Sequence, residues 1–321
     1  MALPDSAVEF LRTQADRVRA LPRRPRIVFP EGGDARVQEA AARLKAEKLI
    51  EPILITPELA ASCPNRGKYA ALLFERRRAK GLTQTEAEQT AIRPLYFGCL
   101  MVAAGDAEGF VGGAANSTGD TVRAALHAIG PQPKVTTVST FMALCVRNQA
   151  YGHRGVLAIA DPAMVVDPTP VELADITIAT AASVRALLGI EPVVAMLSFS
   201  TKGSGKHKKS DAVLEALKIV QARAPELHVD AELQADAALV EAIGRSKAPG
   251  STVVGRVNTL IFPDLNAANI GYKLVERLGD AAALGPFLQG LDKPANDLSR
   301  GCSADDVYGV ALVTALQGAR V

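Results

Sequence analysis

Short runs of Val, Ile, Leu and Ala alternate along this chain with longer stretches whose apolar residues recur at helical spacing. That alternation is the sequence mark of an α/β fold with mainly parallel sheets. Residues 26–30 (RIVFP) form the first apolar run and lead into Glu31-Gly32-Gly33. A helical pattern follows over 34–48, and a second run comes at 52–55. Strand-like stretches return at 109–114 and 135–146, and 156–160 reads as a buried strand before Asp161-Pro162. Residues 170–188 read as helix and 193–199 as another buried strand. Residues 210–224 place Val213, Leu214, Leu217 and Val220 on one helical face. Apolar runs at 228–233 and 253–262, and helical patterns over 264–278 and 303–316, complete the expected set. Aromatic residues are only 4% of the chain and Trp is absent, so the cores must be built from aliphatic side chains and Ala. Such cores suit buried parallel strands beneath alanine-rich helices.

A length of 321 residues predicts about two domains. Two stretches suit chain crossings, Gly130-Pro131-Gln132-Pro133 and residues 290–294. They predict a first domain of residues 1–133 with 293–321 and a second of 134–292, with a ligand cleft between them. A formal net charge of +2, with both signs interspersed, speaks against a nucleic-acid partner but leaves room for a small anion. The four cysteines, Cys63, Cys99, Cys145 and Cys302, show no CxxC pairing and read as reduced thiols of a cytoplasmic protein. No stretch approaches the ~20 apolar residues that span a bilayer. Asp5, Glu9, Arg12 and Asp16 give the N-terminal stretch the look of a surface helix rather than a signal peptide. His127, His153, His207 and His228 lack metal-ligand spacing, and neither GxSxG nor a post-strand GxGxxG is present.

Several polar loops are candidates for chemistry. Residues 294–306, PANDLSRGCSADD, bring Ser299, Arg300 and Asp306 together just ahead of the last helix. An arginine holds phosphate or acyl oxygens through charge-assisted hydrogen bonds, a hydroxyl donates to an oxyanion, and a carboxylate accepts a thiol proton. Ser303 and Asp306 also fit a helix capping box, so spacing alone supports either role for Asp306. Cys302 has no histidine partner to activate it. Residues 116–123, NSTGDTVR, put the hydroxyls of Ser117 and Thr118 at a helix start with Arg123 one turn in, which is either an anion site or a plain cap. Residues 198–210, SFSTKGSGKHKKS, follow a strand and offer Lys202, Gly203 and Ser204 to a phosphate, although the spacing is not that of a P-loop. A solvated basic loop is the alternative there. Arg76-Arg77-Arg78 before Lys80-Gly81 is a further basic cluster.

FPEGGDAR (29–36), LYFGCLMV (95–102), NSTGDTVR (116–123), AMLSFSTKGSGK (195–206), DAELQADAAL (230–239), the long run 246–273 and NDLSRGCSADD (296–306) occur in this order. Together they resemble the phosphate acetyltransferase (phosphotransacetylase) family over nearly the whole chain. The resemblance implies a two-domain fold like that of isocitrate and isopropylmalate dehydrogenases, with the active site in the interdomain cleft. It implies a homodimer with no cofactor and no metal, acting on acetyl phosphate, coenzyme A and inorganic phosphate. By the resemblance Asp306 takes the coenzyme A thiol proton, Ser299 stabilises the oxyanion and Arg300 orients acetyl phosphate. Arg123 and Arg77 match two further substrate-binding arginines. One departure is Gln149, which stands where the family often has a cysteine before a Tyr-Gly pair. The alternatives are transfer of butyryl or propionyl groups, or a non-catalytic acyl-CoA-sensing domain.

Overall fold

The computed structural model describes residues 3–133 and 135–319. The strands in chain order are β1 (Arg26–Phe29), β2 (Glu51–Leu54), β3 (Gly109–Gly112), β4 (Ser139–Cys145), β5 (Val156–Ala160), β6 (Val193–Leu197), β7 (His228–Leu233), β8 (Thr259–Ile261), β9 (Ala282–Gln289) and β10 (Ala295–Asp297). The chain forms two compact units, Leu11–Val135 with Gly290–Val321, and Met1–Phe10 with Thr136–Gln289. The expected extent of the first domain was 1–133 with 293–321. Residues 3–10 instead group with the other unit, where the Ser6 hydroxyl donates to the Val146 carbonyl (2.7 Å) and Glu9 pairs with Arg154 (3.0 Å).

In the unit of Leu11–Val135 and Gly290–Val321, four strands pair in the order β10-β3-β1-β2, all parallel. Ile27, Val28 and Phe29 are fully buried, as a strand covered on both faces requires. The helix Ala304–Gly318 buries every side chain from Val307 to Leu316, which is why its sequence is apolar nearly all round. It approaches β3 so closely that a Cβ on Gly109 would stand 2.5 Å from the Thr314 methyl carbon. Parallel pairing has a consequence for the site. The segments that follow β1, β3 and β10 all leave the sheet along one edge, where ligands gather in open α/β sheets.

The other unit carries a six-stranded sheet in the order β7-β6-β8-β5-β4-β9. β5, β6, β7 and β8 pair in parallel, while β4 is antiparallel to both β5 and β9. Leu144, Leu157, Ile159, Leu197, Leu233 and Leu260 pack into one core. Residues 253–262 read as one strand, but only Thr259–Ile261 is extended. Gly255 turns the chain at φ +72°, and Val253 and Val257 reach the core from that turn. β9 carries no strand signal because Gly285-Pro286 interrupts its pattern. The break coincides with a register shift against β4 between Phe141 and Ala143. Among the described residues, no helix is long and apolar enough to cross a membrane.

Candidate active site

Three segments meet along the edge of the parallel sheet in the first unit described. The first is the turn after β10. Ser299 and Arg300 are exposed there, Cys302 N donates to the Ser299 carbonyl (2.9 Å), and the helix begins at Ser303. Both halves of the expected capping box form. Asp306 N donates to Ser303 Oγ (3.2 Å), and Asp306 Oδ2 accepts from Ser303 N (2.8 Å) and Ser303 Oγ (2.9 Å). Asp306 is only half-buried, and its bonds to Ser303 all fall on Oδ2.

The second segment follows β1. Asp34 caps the helix Ala35–Ala46 and accepts from Arg36 N at 2.9 Å. The Arg36 guanidinium, through hydrogen bonding and its charge, also holds this carboxyl below the usual carboxylate range. The same guanidinium donates to the carbonyls of Arg300 (2.9 Å), Cys302 (2.9 Å) and Ala114 (2.8 Å). One side chain thus ties all three segments together. Burial pushes the Cys302 thiol up to about 11, with Arg36 pulling the other way and the Asp306 charge adding to the rise. At neutral pH it is a thiol rather than a nucleophilic thiolate.

The third segment follows β3. The Glu31 carboxylate accepts from the backbone N–H groups of Gly113, Ala114, Ala115 and Asn116 and from Asn116 Nδ2, at 2.7–3.2 Å. Of the segment 116–123 that sequence offered to an anion, only the Asn116 donors are taken up by Glu31. Ser117 caps the helix Thr118–Ala128, and its hydroxyl donates to Asp120 Oδ2 (2.7 Å). That bond and the Arg123 ion pair (2.7 Å) hold the Asp120 carboxyl below its ordinary range. The Arg123–Asp120 pair is exposed, so exchanging Asp120 for a ligand anion costs little.

Arg77 ends the helix Arg66–Arg77. Its charge and that of Arg123 both act on His127, whose pKa is lowered first by burial and then by these two arginines. His127 shares a hydrogen bond with the Tyr96 hydroxyl (3.1 Å). The charges of Arg77, Arg93 and Arg123 also act on Tyr96, opposing the rise that burial gives its hydroxyl. A cavity of about 650 Å³ opens here, with Arg93, Arg123 and Asn116 offering polar contacts and Ile55, Pro57 and Leu95 apolar ones.

Lys202, Gly203 and Ser204 lie in the other unit, on a loop closed by its own hydroxyls. Thr201 N donates to Ser204 Oγ (3.0 Å) and Gly205 N to Ser200 Oγ (2.8 Å). The Lys202 ammonium is engaged by Asp230 (2.5 Å) and the Ala231 carbonyl (2.6 Å). Among the described residues no group of three His, Cys, Asp or Glu side chains could hold a metal ion. Sequence reasoning gave no role to Glu31, Arg36 or Arg93. The FPEGGDAR run contains the first two, but the partners that define their work lie some 80 and 264 positions away.

The family model for phosphate acetyl/butaryl transferase matches residues 10–315. The phosphate acetyltransferase of Acetivibrio thermocellus is 43% identical over 309 residues, covering 91% of this chain and 93% of that one. A solved phosphotransacetylase from Streptococcus pyogenes superposes with a TM-score of 0.87 at 40% identity over the full length of both chains. A putative 4-hydroxythreonine-4-phosphate dehydrogenase from Salmonella typhimurium shares the fold alone, with a TM-score of 0.53 at 10% identity over 91% of this chain and 99% of that one.

Proposed function

Because the chain belongs to the phosphate acetyl/butaryl transferase family, we infer that it moves an acetyl group reversibly between acetyl phosphate and coenzyme A, by direct thiolate attack in a ternary complex. The observation that carries this reading is the Arg36 staple, which sets the Ser299–Arg300 turn and the Asp306 helix start beside the Ser117–Arg123 helix start. Arg300, Arg123 and Arg77 supply positive charge to the phosphoryl group. Ser117 and Thr118 add hydroxyl donors. The Ser299 hydroxyl donates to the acyl oxygen as it gains charge. Asp306 takes the thiol proton on Oδ1, the oxygen its cap leaves open. The sulfur–carbon bond forms, the carbon–oxygen bond to phosphate breaks, and inorganic phosphate leaves with the electron pair.

The magnitudes are adequate. A thiol of pKa about 8.5 is only a few per cent ionised at neutral pH, so a placed base helps. General-base assistance contributes ~100- to 10,000-fold, and alignment of the two substrates adds as much or more. Phosphate is a good leaving group and needs no acid. Lys202, Gly203 and Ser204 are assigned as phosphate-binding groups on their own unit, with Asp230 giving up Lys202 when a phosphate arrives. The reaction needs no metal or organic cofactor. We place the protein in the cytoplasm as a homodimer. Ile270, Leu274 and Leu278, spaced by four on the helix Leu265–Leu278 and all exposed, support the dimer.

Initial-rate kinetics test the ternary complex. Intersecting reciprocal plots, and no exchange of labelled phosphate into acetyl phosphate without coenzyme A, are expected. Parallel plots with rapid exchange would mean an acetyl-enzyme and would contradict direct attack.

A further inference from the structure

Strand β10 ends in Asp297, to which nothing above gives a role. Asp297 is 1% exposed, and neither of its carboxyl oxygens meets a hydrogen-bond donor among the described residues. Its Oδ1 lies against the backbone of Gly113, where a Cβ would stand 2.3 Å from that oxygen. The groups that face it come from three elements. Thr118 and Thr121, on the first turns of the helix Thr118–Ala128, lie near enough to favour its charged form, yet neither completes a hydrogen bond. Glu31, after β1, opposes it with a like charge. The Leu298 N–H, beside it in the chain, is taken by the Gly112 carbonyl (2.7 Å). Asp120 and Arg123 on the same helix start pair with each other. No cation stands among the groups that act on it most strongly.

A buried carboxyl group without donors or a cation escapes the cost of charge by keeping its proton. Burial pushes this one up to about 7. We propose that Asp297 is a positioning residue for the phosphorylated substrate: buried and unpartnered where the Ser299–Arg300 turn leaves β10 against the Gly113 backbone, it keeps that edge receptive to an anion so long as it brings no negative charge of its own. This rests on the acyl-phosphate reading above. Two like charges about 10 Å apart at an effective dielectric near 20 repel enough to weaken binding on the order of tenfold.

Asp297→Asn keeps the shape and is neutral at every pH. The KM for acetyl phosphate is measured for both chains between about pH 6 and pH 8.5, where the ionisation of the substrate itself is common to both. The ratio of parent to variant KM should rise from near one on the order of tenfold, with kcat little changed. A ratio that stays flat overturns the proposal. Thermal unfolding gives a readout free of activity. The folded state holds the Asp297 proton and the unfolded state does not between about pH 4 and about pH 7, so the parent loses stability relative to the variant as pH rises through that window. Equal pH slopes overturn it. If the variant does not fold, Thr121→Val serves. Removing a hydroxyl that favours the charged form should move the rise in KM to higher pH, and an unmoved rise counts against the proposal.

Calorimetric binding of inorganic phosphate separates this inference from the enzyme reading. The pH-dependent ratio without acetyl transfer would sink the transferase reading and keep the role of Asp297. Acetyl transfer with a flat ratio would sink only the latter.

Discussion

Beside the Ser299–Arg300 turn, the Cys302 thiol is buried and held as the neutral acid. Alkylating reagents attack thiolates, so at pH 7 Cys302 should react slowly and Cys63, the one cysteine that is not buried, should react first. Mass mapping after iodoacetamide treatment checks this. Cys63 modified with activity retained is the expected outcome, and rapid modification of Cys302 with loss of activity the contrary one. Ser299, Arg300, Asp306, Ser117 and Arg123 stood out in the sequence as polar residues in or beside glycine-containing loops at helix starts, and the helix starts are where the structure has them. Asp306 shows the limit of that reading. Its spacing fits a cap and the cap forms, while its chemical role rests on the resemblance. Glu31 and Asp297 were illegible for a physical reason. What singles them out is the set of donors they meet or lack, and those donors lie on loops remote in sequence.

Among the elements, the loops after β1, β3 and β10 depend on Arg36 more than on any contact within one of them. Arg36→Gln removes charge-assisted bonds to Asp34 and to the carbonyls of Arg300, Cys302 and Ala114. Its stability cost is about 1–3 kcal/mol, read by denaturant unfolding. The KM for acetyl phosphate should rise with it, because Ser299 and Arg300 lose their seat. A variant as stable as the parent, with unchanged KM, would show that the turn holds itself. Strands buried on both faces, such as β1 and β5, stood out as unbroken apolar runs. β9 did not, because Gly285-Pro286 breaks its pattern, and β8 was read too long because Val253 and Val257 reach the same core from the turn at Gly255. The run of helices between residues 57 and 103 also went unread, since several are only one to three turns long.

Across the whole molecule, two parallel-sheet layers were foreseeable from the alternation of elements, and the second sheet proved mixed where β4 and β9 join it. If Ile270, Leu274 and Leu278 form the contact between two copies, Leu274→Asp combined with Leu278→Asp should halve the sedimenting mass. An unchanged mass would place the contact elsewhere. Acyl transfer at the turn after β10 is the proposal on which the rest depends. The most direct test is the rate of acetyl-CoA formation from acetyl phosphate and coenzyme A by the parent and by Arg300→Gln. Parent turnover falling by roughly a hundredfold or more in the folded variant is the predicted result, in line with losing a bidentate phosphate contact formed in the transition state. Equal rates in the two chains, or none in the parent, would contradict it.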